Sequence, residues 1–290
     1  MKTADLDVLN SKIKINSIPM LPAYVMQVSY EMDKIEISAA RIAELIAQDI
    51  GLSVRVLKLA NSPIYGKVNV ETISIYDAVS RIGFTEIKSI CLSLGVARVF
   101  KDTNCKISIS ELWKHSISAA FATRVILSFA NSQIKKQLST DLLYTSGLLH
   151  DIGQLILAEQ YPGEVSEIQR LYSQGKSKFW EIEYDILGFT HADVTGLVLR
   201  HWGFPEIVAS ITENHHGNFA VEENIRAYIE VLHIADIISD LCGLNQNTET
   251  MIEPLDSDAW DKLGLKEEDI PEIIAQTELR LSLAEIFTVL

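Results

Sequence analysis

The sequence predicts an all-α protein, a multi-helix bundle in which an N-terminal helical subdomain packs on a second helical core. Apolar residues recur at spacings of three and four residues along nearly every segment, as on one face of an α-helix. Stretches that alternate in the manner of a half-buried β-strand are few. The 14 glycines and 7 prolines among 290 residues are too sparse for a disordered or fibrous chain.

The first block of the chain reads as two pairs of short helices. We expect them near residues 38–48, 53–61, 74–82 and 86–100. Ser62-Pro63 ends the first pair, while Gly83 and Thr85 separate the members of the second, since glycine ends helices and threonine caps them.

The second block begins with a long helix near residues 110–131, followed by single helices over 140–160, 191–203, 205–216, 224–241 and 271–287. Thr190 and Asp193 form a capping pattern that begins the helix over 191–203. The polar stretch 101–110 marks a boundary between subdomains. We therefore divide the chain into an N-terminal subdomain (1–104), a core (105–245) and an acidic C-terminal segment with a helix (246–290).

Charge and cysteine content exclude several classes of function. A net charge of -14 disfavours extended nucleic-acid binding. The three cysteines are odd in number and share no C-x-x-C spacing, which argues against a disulfide framework or a thiolate zinc site. The first residues do not resemble a signal peptide, and no apolar run is long enough to cross a membrane. We expect a cytoplasmic protein without membrane contact.

A set of metal-type ligands is distributed along the predicted helices. Imidazole and carboxylate groups are normal ligands of iron, manganese and zinc. The set comprises Glu111, His115, His150, Asp151, His191, His215, His216 and Asp236.

The first four members carry specific signals. Glu111 and His115 are four residues apart, so that they share a helix face, although His115 alone also fits a core histidine. His150-Asp151 lies in the apolar segment 142–157, and a buried carboxylate requires a cation or several donors. A pair that only joins two helices is the alternative.

The remaining positions are consistent with the same site. Asp236 lies on an apolar helical stripe, where an aspartate needs a partner. His215 and His216 end a predicted helix, and adjacent residues there cannot face the same way, so that they would serve two ions, or one ion and a substrate. Alternatively, they stabilise the helix C-terminus as cations. His201 and His233 fit structural roles, since neither has a carboxylate at ligand spacing that is not already better assigned to another residue.

Several motifs resemble those of the HD superfamily of metal-dependent phosphohydrolases, and more narrowly the HDOD family of bacterial signalling output domains. The His-Asp pair stands in Leu-Leu-His-Asp-Ile-Gly at 148–153. Further motifs occur in the order that the family shows: Leu59-Ala60-Asn61-Ser62 with Tyr65-Gly66, 78–83, Leu112-Trp113-Lys114-His115-Ser116 and His201-Trp202-Gly203-Phe204-Pro205. The resemblance covers roughly residues 15–241 and implies an HD-type helical core.

The resemblance extends to the HD-GYP phosphodiesterases, which hydrolyse cyclic di-GMP. It implies that all eight residues named above are metal ligands and that Asp151 is the ligand at the activated water. The bound metal would be one or two ions of Fe, Mn, Zn or Mg, if any is held. The sequence departs from that pattern at Gln154, where lysine is usual, at Gly217, where an acid is usual, and in lacking Gly-Tyr-Pro.

Three functions are consistent with these observations. The resemblance favours a signalling module that acts through a protein partner, or through a nucleotide or cyclic dinucleotide. An active metal-dependent phosphohydrolase is the alternative, supported by the retained ligands. A minor alternative is DNA binding through the helix pair at 42–60, which resembles a helix-turn-helix but offers only Arg55 and Lys58 as cations.

Overall fold

The computed structural model describes residues 6–32, 34, 36–62, 65, 72, 74–100, 107–175, 177–217, 221–244 and 257–284. These residues form helices and connecting turns, and none of them belongs to a β-strand. The all-α fold class predicted from the sequence is confirmed. None of the described helices combines the length and the apolar character that a bilayer crossing requires.

The described residues divide into two compact units, and the first consists of residues 19–100. Its helices are α2 (Ala23–Met32), α3 (Ala39–Ala47), α4 (Ile50–Ala60), α5 (Ile75–Ile82) and α6 (Phe84–Val99). Side chains of Ser38, Asp49 and Ser74 accept hydrogen bonds from the first turns of α3, α4 and α5. The side chains of Ile42, Leu45 and Ile46 on α3 are fully buried in the core of this unit.

The second unit consists of residues 6–18 and 107–284. Its N-terminal part holds α1 (Leu6–Lys12) and a 3-10 turn (Ile15–Ser17). Its main part begins with α7 (Ile109–Phe129), α8 (Ser132–Gln137), α9 (Thr140–Leu149), α10 (Ile152–Gln160), α11 (Pro162–Tyr172) and α12 (Phe179–Leu187). It continues with α13 (His191–His201), α14 (Glu206–Glu213), α15 (Glu223–Ser239), a π-helical turn (Asp240–Leu244), α16 (Ser257–Leu263), a 3-10 turn (Glu267–Asp269) and α17 (Ile270–Ala284).

Helix α7 lies at the centre of the second unit. It packs on α9, α15 and α17, and most of its side chains are buried. The short α1 is held on this unit by two long-range hydrogen bonds. Lys12 Nζ donates to the carbonyl of Leu187 at 2.7 Å, and Tyr161 Oη donates to the carbonyl of Lys12 at 2.7 Å.

Several segments differ from the sequence-based expectation. The single helix predicted over residues 140–160 is wrong, since α9 ends at Leu149 and α10 begins at Ile152. The stretch 161–189, which gave no helix prediction, contains α11 and α12. Part of the predicted boundary segment 101–110 and part of the acidic segment from residue 246 lie outside the described residues.

The predicted start of α13 is confirmed. The side chain of Thr190 accepts from the backbone N–H of Asp193 at 3.3 Å, and the carboxylate of Asp193 accepts from the backbone N–H of Thr190 at 2.8 Å. This reciprocal capping fixes His191 in the first turn of the helix.

Two glycines allow helices of the second unit to approach closely. At the contact between α9 and α7, a Cβ atom at Gly147 would lie 2.8 Å from Cα of Ala120. At the contact between α10 and α13, a Cβ atom at Gly153 would overlap the carbonyl oxygen of His191. Both contacts are closer than side-chain packing permits, so only glycine allows this close approach of the helices.

We predict that Gly153→Ala lowers the free energy of unfolding by about 3 kcal/mol or more, because the new methyl group overlaps backbone atoms that cannot rotate away. Urea denaturation followed by circular dichroism measures the change. Gly163→Ala is the matched control, since its Cβ would meet no atom within 4 Å, and it should be neutral or slightly stabilising. Equal stabilities of the two variants would contradict the close approach of α10 and α13.

Candidate metal centre

The His-Asp pair lies at the break between α9 and α10. His150 follows the last residue of α9 and Asp151 precedes the first residue of α10. In an uninterrupted helix, adjacent side chains point about 100° apart. Because the helix is interrupted here, both side chains turn into the interior, and both are buried.

Two histidines of the site are oriented by backbone carbonyls. Nδ1 of His150 donates to the carbonyl of Gly147 at 2.8 Å, and Nδ1 of His215 donates to the carbonyl of Thr212 at 2.6 Å. A neutral imidazole with its proton on Nδ1 keeps a lone pair on Nε2. Both Nε2 atoms lie near the carboxylate of Asp151, at 3.5 Å for His150 and 3.8 Å for His215.

Helices α7 and α15 add His115 and Asp236. Nε2 of His115 lies 2.9 Å from Oδ1 of Asp236 and 3.3 Å from Nε2 of His150. The same carboxylate oxygen of Asp236 lies 3.4 Å from Nε2 of His150. Asp236 therefore has the partners that its position on an apolar stripe required.

His191 approaches the His-Asp pair from the start of α13. Its Nε2 lies 3.1 Å from Oδ1 of Asp151 and 2.9 Å from Nε2 of His216. The capping interaction of Thr190 places this side chain, since it fixes where α13 begins.

His215 and His216 both reach the same place. The expectation that they face different ways assumed a helix through His216, but α14 ends at Glu213 and the two histidines lie in the turn that follows. Their ring centroids are 3.9 Å apart. Both therefore contribute to one cluster with His191.

Seven of the eight residues proposed from the sequence converge. Within the described part of the chain they form three overlapping groups with ligand atoms within 4.8 Å of one another. The groups are His115, His150 and Asp236; His150, Asp151 and His215; and His191, His215 and His216. Glu111 is exposed at the start of α7 and belongs to none of these groups.

Two acidic residues beside the cluster were missed in the sequence. Oε2 of Glu183 lies 2.6 Å from Nδ1 of His191, and Oδ1 of Asp240 lies 3.5 Å from Nδ1 of His115. Asp240 follows Asp236 by four residues, a spacing that could have identified it. Glu183 lies on α12, which carried no recognised pattern, so only the structure reveals its role.

The acids strongly affect the titration of the histidines they contact. Burial opposes protonation of His115, but the hydrogen bond and charge of Asp236, together with Asp240 and Asp151, raise the pKa of His115 to about 9. Burial raises the pKa of Asp240 to about 7 against the opposing effect of His115. Burial also acts against ionisation of Asp151 and Asp236, yet the neighbouring histidines hold both pKa values well below the ordinary range.

The adjacent histidines behave in the opposite way. Burial, and then the positive charge of His150, lower the pKa of His215 to about 3. Burial and the charges of His215 and His191 also hold the pKa of His216 well below its usual value. Neutral imidazole is the form that binds metal ions, so His215 and His216 are ready to act as ligands at pH 7.

The residues of this cluster fit a divalent metal ion. Among the described residues, only histidines form ion pairs with the carboxylates of Asp151, Asp236, Asp240 and Glu183. Nε2 of His215 is buried and has no hydrogen-bond partner among the described residues. A buried acceptor without a donor is costly unless a cation meets it. Mixed imidazole and carboxylate donors suit iron, manganese or zinc.

Comparison with known proteins places these observations in a family. The HDOD domain model matches residues 18–218, which is most of the chain. A solved HDOD domain protein of unknown function from Geobacter sulfurreducens is 25% identical, with a TM-score of 0.73 over 96% of this chain and 93% of that one.

Two further solved structures share the fold. A candidate signal transduction protein from Marinobacter aquaeolei VT8 is 21% identical, with a TM-score of 0.78 over 97% of this chain and 64% of that one. A candidate phosphohydrolase from Shewanella amazonensis SB2B is 19% identical, with a TM-score of 0.65 over 94% and 98% of the respective chains.

A curated relative, an uncharacterised protein from Treponema pallidum, is 24% identical over 224 residues. The match covers 77% of this chain but only 42% of the relative, so the chain spans less than half of that protein's length. The extent of the family match, together with the converging His-Asp cluster, shows that the chain belongs to the HDOD family.

Proposed function

We propose that this chain is a cytoplasmic output module of bacterial signalling. Its HD-type centre binds one or two divalent ions. The module acts by binding a protein or a nucleotide, and it does not hydrolyse the partner that it binds. The observation that carries this proposal is the side chain of Gln154. It is 9% exposed, and its amide nitrogen donates to Oδ2 of Asp151 at 2.9 Å. The resemblance to HD phosphohydrolases implies a lysine at this position.

The replacement separates metal binding from catalysis. The amide of Gln154 supplies a hydrogen bond to Asp151 but no positive charge. Phosphoester hydrolysis develops negative charge on phosphate oxygens, and fixed cations in a site without water contribute strongly to its stabilisation. The cluster therefore keeps its ligands while it lacks the cation that the reaction uses.

The seven converging residues would hold the ions, with Asp151 and Asp236 as carboxylate ligands and the five histidines as imidazole ligands. A bound divalent ion would supply Lewis acidity and positive charge toward a phosphate group. The residues themselves orient one another, since Nδ1 hydrogen bonds hold His150 and His215 with their Nε2 atoms turned inward.

The setting of the domain supports a role in signalling. The Treponema relative carries the matched region within a longer chain, as expected for a module that works with other domains. The Marinobacter structure with the same fold is named for signal transduction. A phosphohydrolase is the second candidate, and the complete convergence of seven ligand-type residues favours it.

We predict that the protein purified without chelators contains at least about one equivalent of iron, manganese or zinc, measured by plasma mass spectrometry. Asp151→Asn should lose most of this metal, because the carboxylate oxygens of Asp151 lie 3.1–3.8 Å from Nε2 atoms of four histidines. Glu111→Gln removes a carboxylate from the same unit at an exposed position and should retain the metal.

A wild-type protein with less than one equivalent after reconstitution would contradict the metal-binding part of the proposal. Loss of metal from Glu111→Gln would instead place Glu111 among the ligands, as the sequence first suggested.

We predict that the metal-loaded wild-type protein does not turn over cyclic di-GMP or bis(4-nitrophenyl) phosphate, whereas Gln154→Lys hydrolyses at least one of them measurably. Restoring the cation should raise the rate at least about tenfold above the wild-type background. Release of 4-nitrophenol and chromatography of the nucleotide products measure the rates.

Gln154→Met is the matched control, since it removes the amide without adding charge and should remain inactive. Metal-dependent turnover by the wild-type protein, abolished in Asp151→Asn, would overturn the regulatory proposal in favour of the hydrolase.

A further inference from the structure

Glu183 is a buried carboxylate that lies outside the ligand set. It is 1% exposed and is carried by α12. Its Oε2 atom accepts a hydrogen bond from the backbone N–H of His191 at 2.9 Å and lies 2.6 Å from Nδ1 of the same residue. One oxygen atom thus holds both the main chain and the ring of His191.

This arrangement determines which nitrogen of His191 faces the cluster. A carboxylate only accepts hydrogen bonds, so Nδ1 of His191 is the donor and carries the proton. Nε2 then points to the opposite side, where it lies 3.1 Å from Oδ1 of Asp151 and 2.9 Å from Nε2 of His216. A carboxylate hydrogen-bonded to a histidine in this way orients the ring and strengthens it as a metal ligand.

The same helix also supports the neighbouring imidazole. Trp180 precedes Glu183 by three residues, and its ring stacks on that of His216 with centroids 6.0 Å apart and an interplanar angle of 23°. Residues three apart share a helix face. One face of α12 therefore touches both His191 and His216, which together with His215 form one of the three ligand groups.

We propose that Glu183 is a positioning residue of the metal centre, which controls the affinity and coordination of the ion held by His191, His215 and His216 without touching it. The inference rests on the proposed metal binding. It goes further, because it assigns control over the ion at His191, His215 and His216 to a residue of α12, outside the His-Asp motifs. A capping role at the start of α13 is the alternative, since Glu183 also binds the backbone of His191.

Glu183→Gln tests the proposal. The amide keeps the size of the side chain and an oxygen that can accept from the backbone N–H of His191, but it removes the negative charge from Nδ1. We expect the dissociation constant for Zn²⁺, measured by competition with a chromophoric chelator, to rise about 10-fold to 100-fold. The visible absorption bands of the Co²⁺-loaded protein should shift in energy or intensity.

Two further variants provide controls. Glu183→Asp retains the charge and should recover part of the affinity. Asp185→Asn removes the same charge from an exposed position on the same helix and should match the wild-type protein in affinity and spectrum.

The outcomes separate the two proposals. If the wild-type protein binds Zn²⁺ and Glu183→Gln binds it equally well with an unchanged Co²⁺ spectrum, the positioning role of Glu183 is overturned while metal binding stands. A lower melting temperature of the metal-free variant with unchanged affinity and spectrum would likewise overturn it in favour of a capping role. If the wild-type protein binds no ion, both proposals fall.

Discussion

The placement of four carboxylates, two of them buried and two half-buried, among five imidazoles is the constraint on which the second unit depends. Asp151, Asp236, Asp240 and Glu183 have only histidines as ion-pair partners in the described part of the chain. An ionised carboxylate removed from water is costly unless several donors or a cation compensate. Five histidines from several helices and turns meet these carboxylates at one place, where α9 gives way to α10 and where α14 ends.

Three local features of the helices bring the ligand atoms together. The break between α9 and α10 turns His150 and Asp151 inward together, and the early end of α14 does the same for His215 and His216. Gly153 allows α10 to approach the start of α13 closely enough for Asp151 to reach His191. In each case a continuous helix, or a larger side chain, would keep ligand atoms apart.

The sequence was sufficient to predict the all-α fold, the capping of α13 and the identity of most of the converging residues. Periodicity and capping are local properties, and the His-Asp motif carried the family resemblance. The interruption at His150 could not be predicted in this way, because apolar residues lie on both sides of it in the segment 142–157 and the periodicity continues across the break.

Glu183 could not be identified from the sequence for a different reason. Its role depends on the packing of α12 against the start of α13, a tertiary contact between residues eight positions apart with a turn between them. Glu111 shows the converse. Its spacing from His115 is correct for a shared helix face, yet it lies in the first turn of α7, where its position is exposed. Spacing establishes that two side chains share a face, but only burial decides whether both reach the centre.

Metal binding and phosphoester hydrolysis make separate demands on such a centre, and the structure meets them unequally. Binding requires acceptors that orient the imidazoles, and these are present as the carbonyls of Gly147 and Thr212 and the carboxylate of Glu183. Hydrolysis also requires positive charge directed at the substrate. At the position of Gln154 the hydrogen bond to Asp151 is kept and the charge is absent. The amide of Gln154 thus supplies a hydrogen bond to Oδ2 of Asp151 without a lysine, which agrees with the proposal of a centre that binds its ligand without cleaving it.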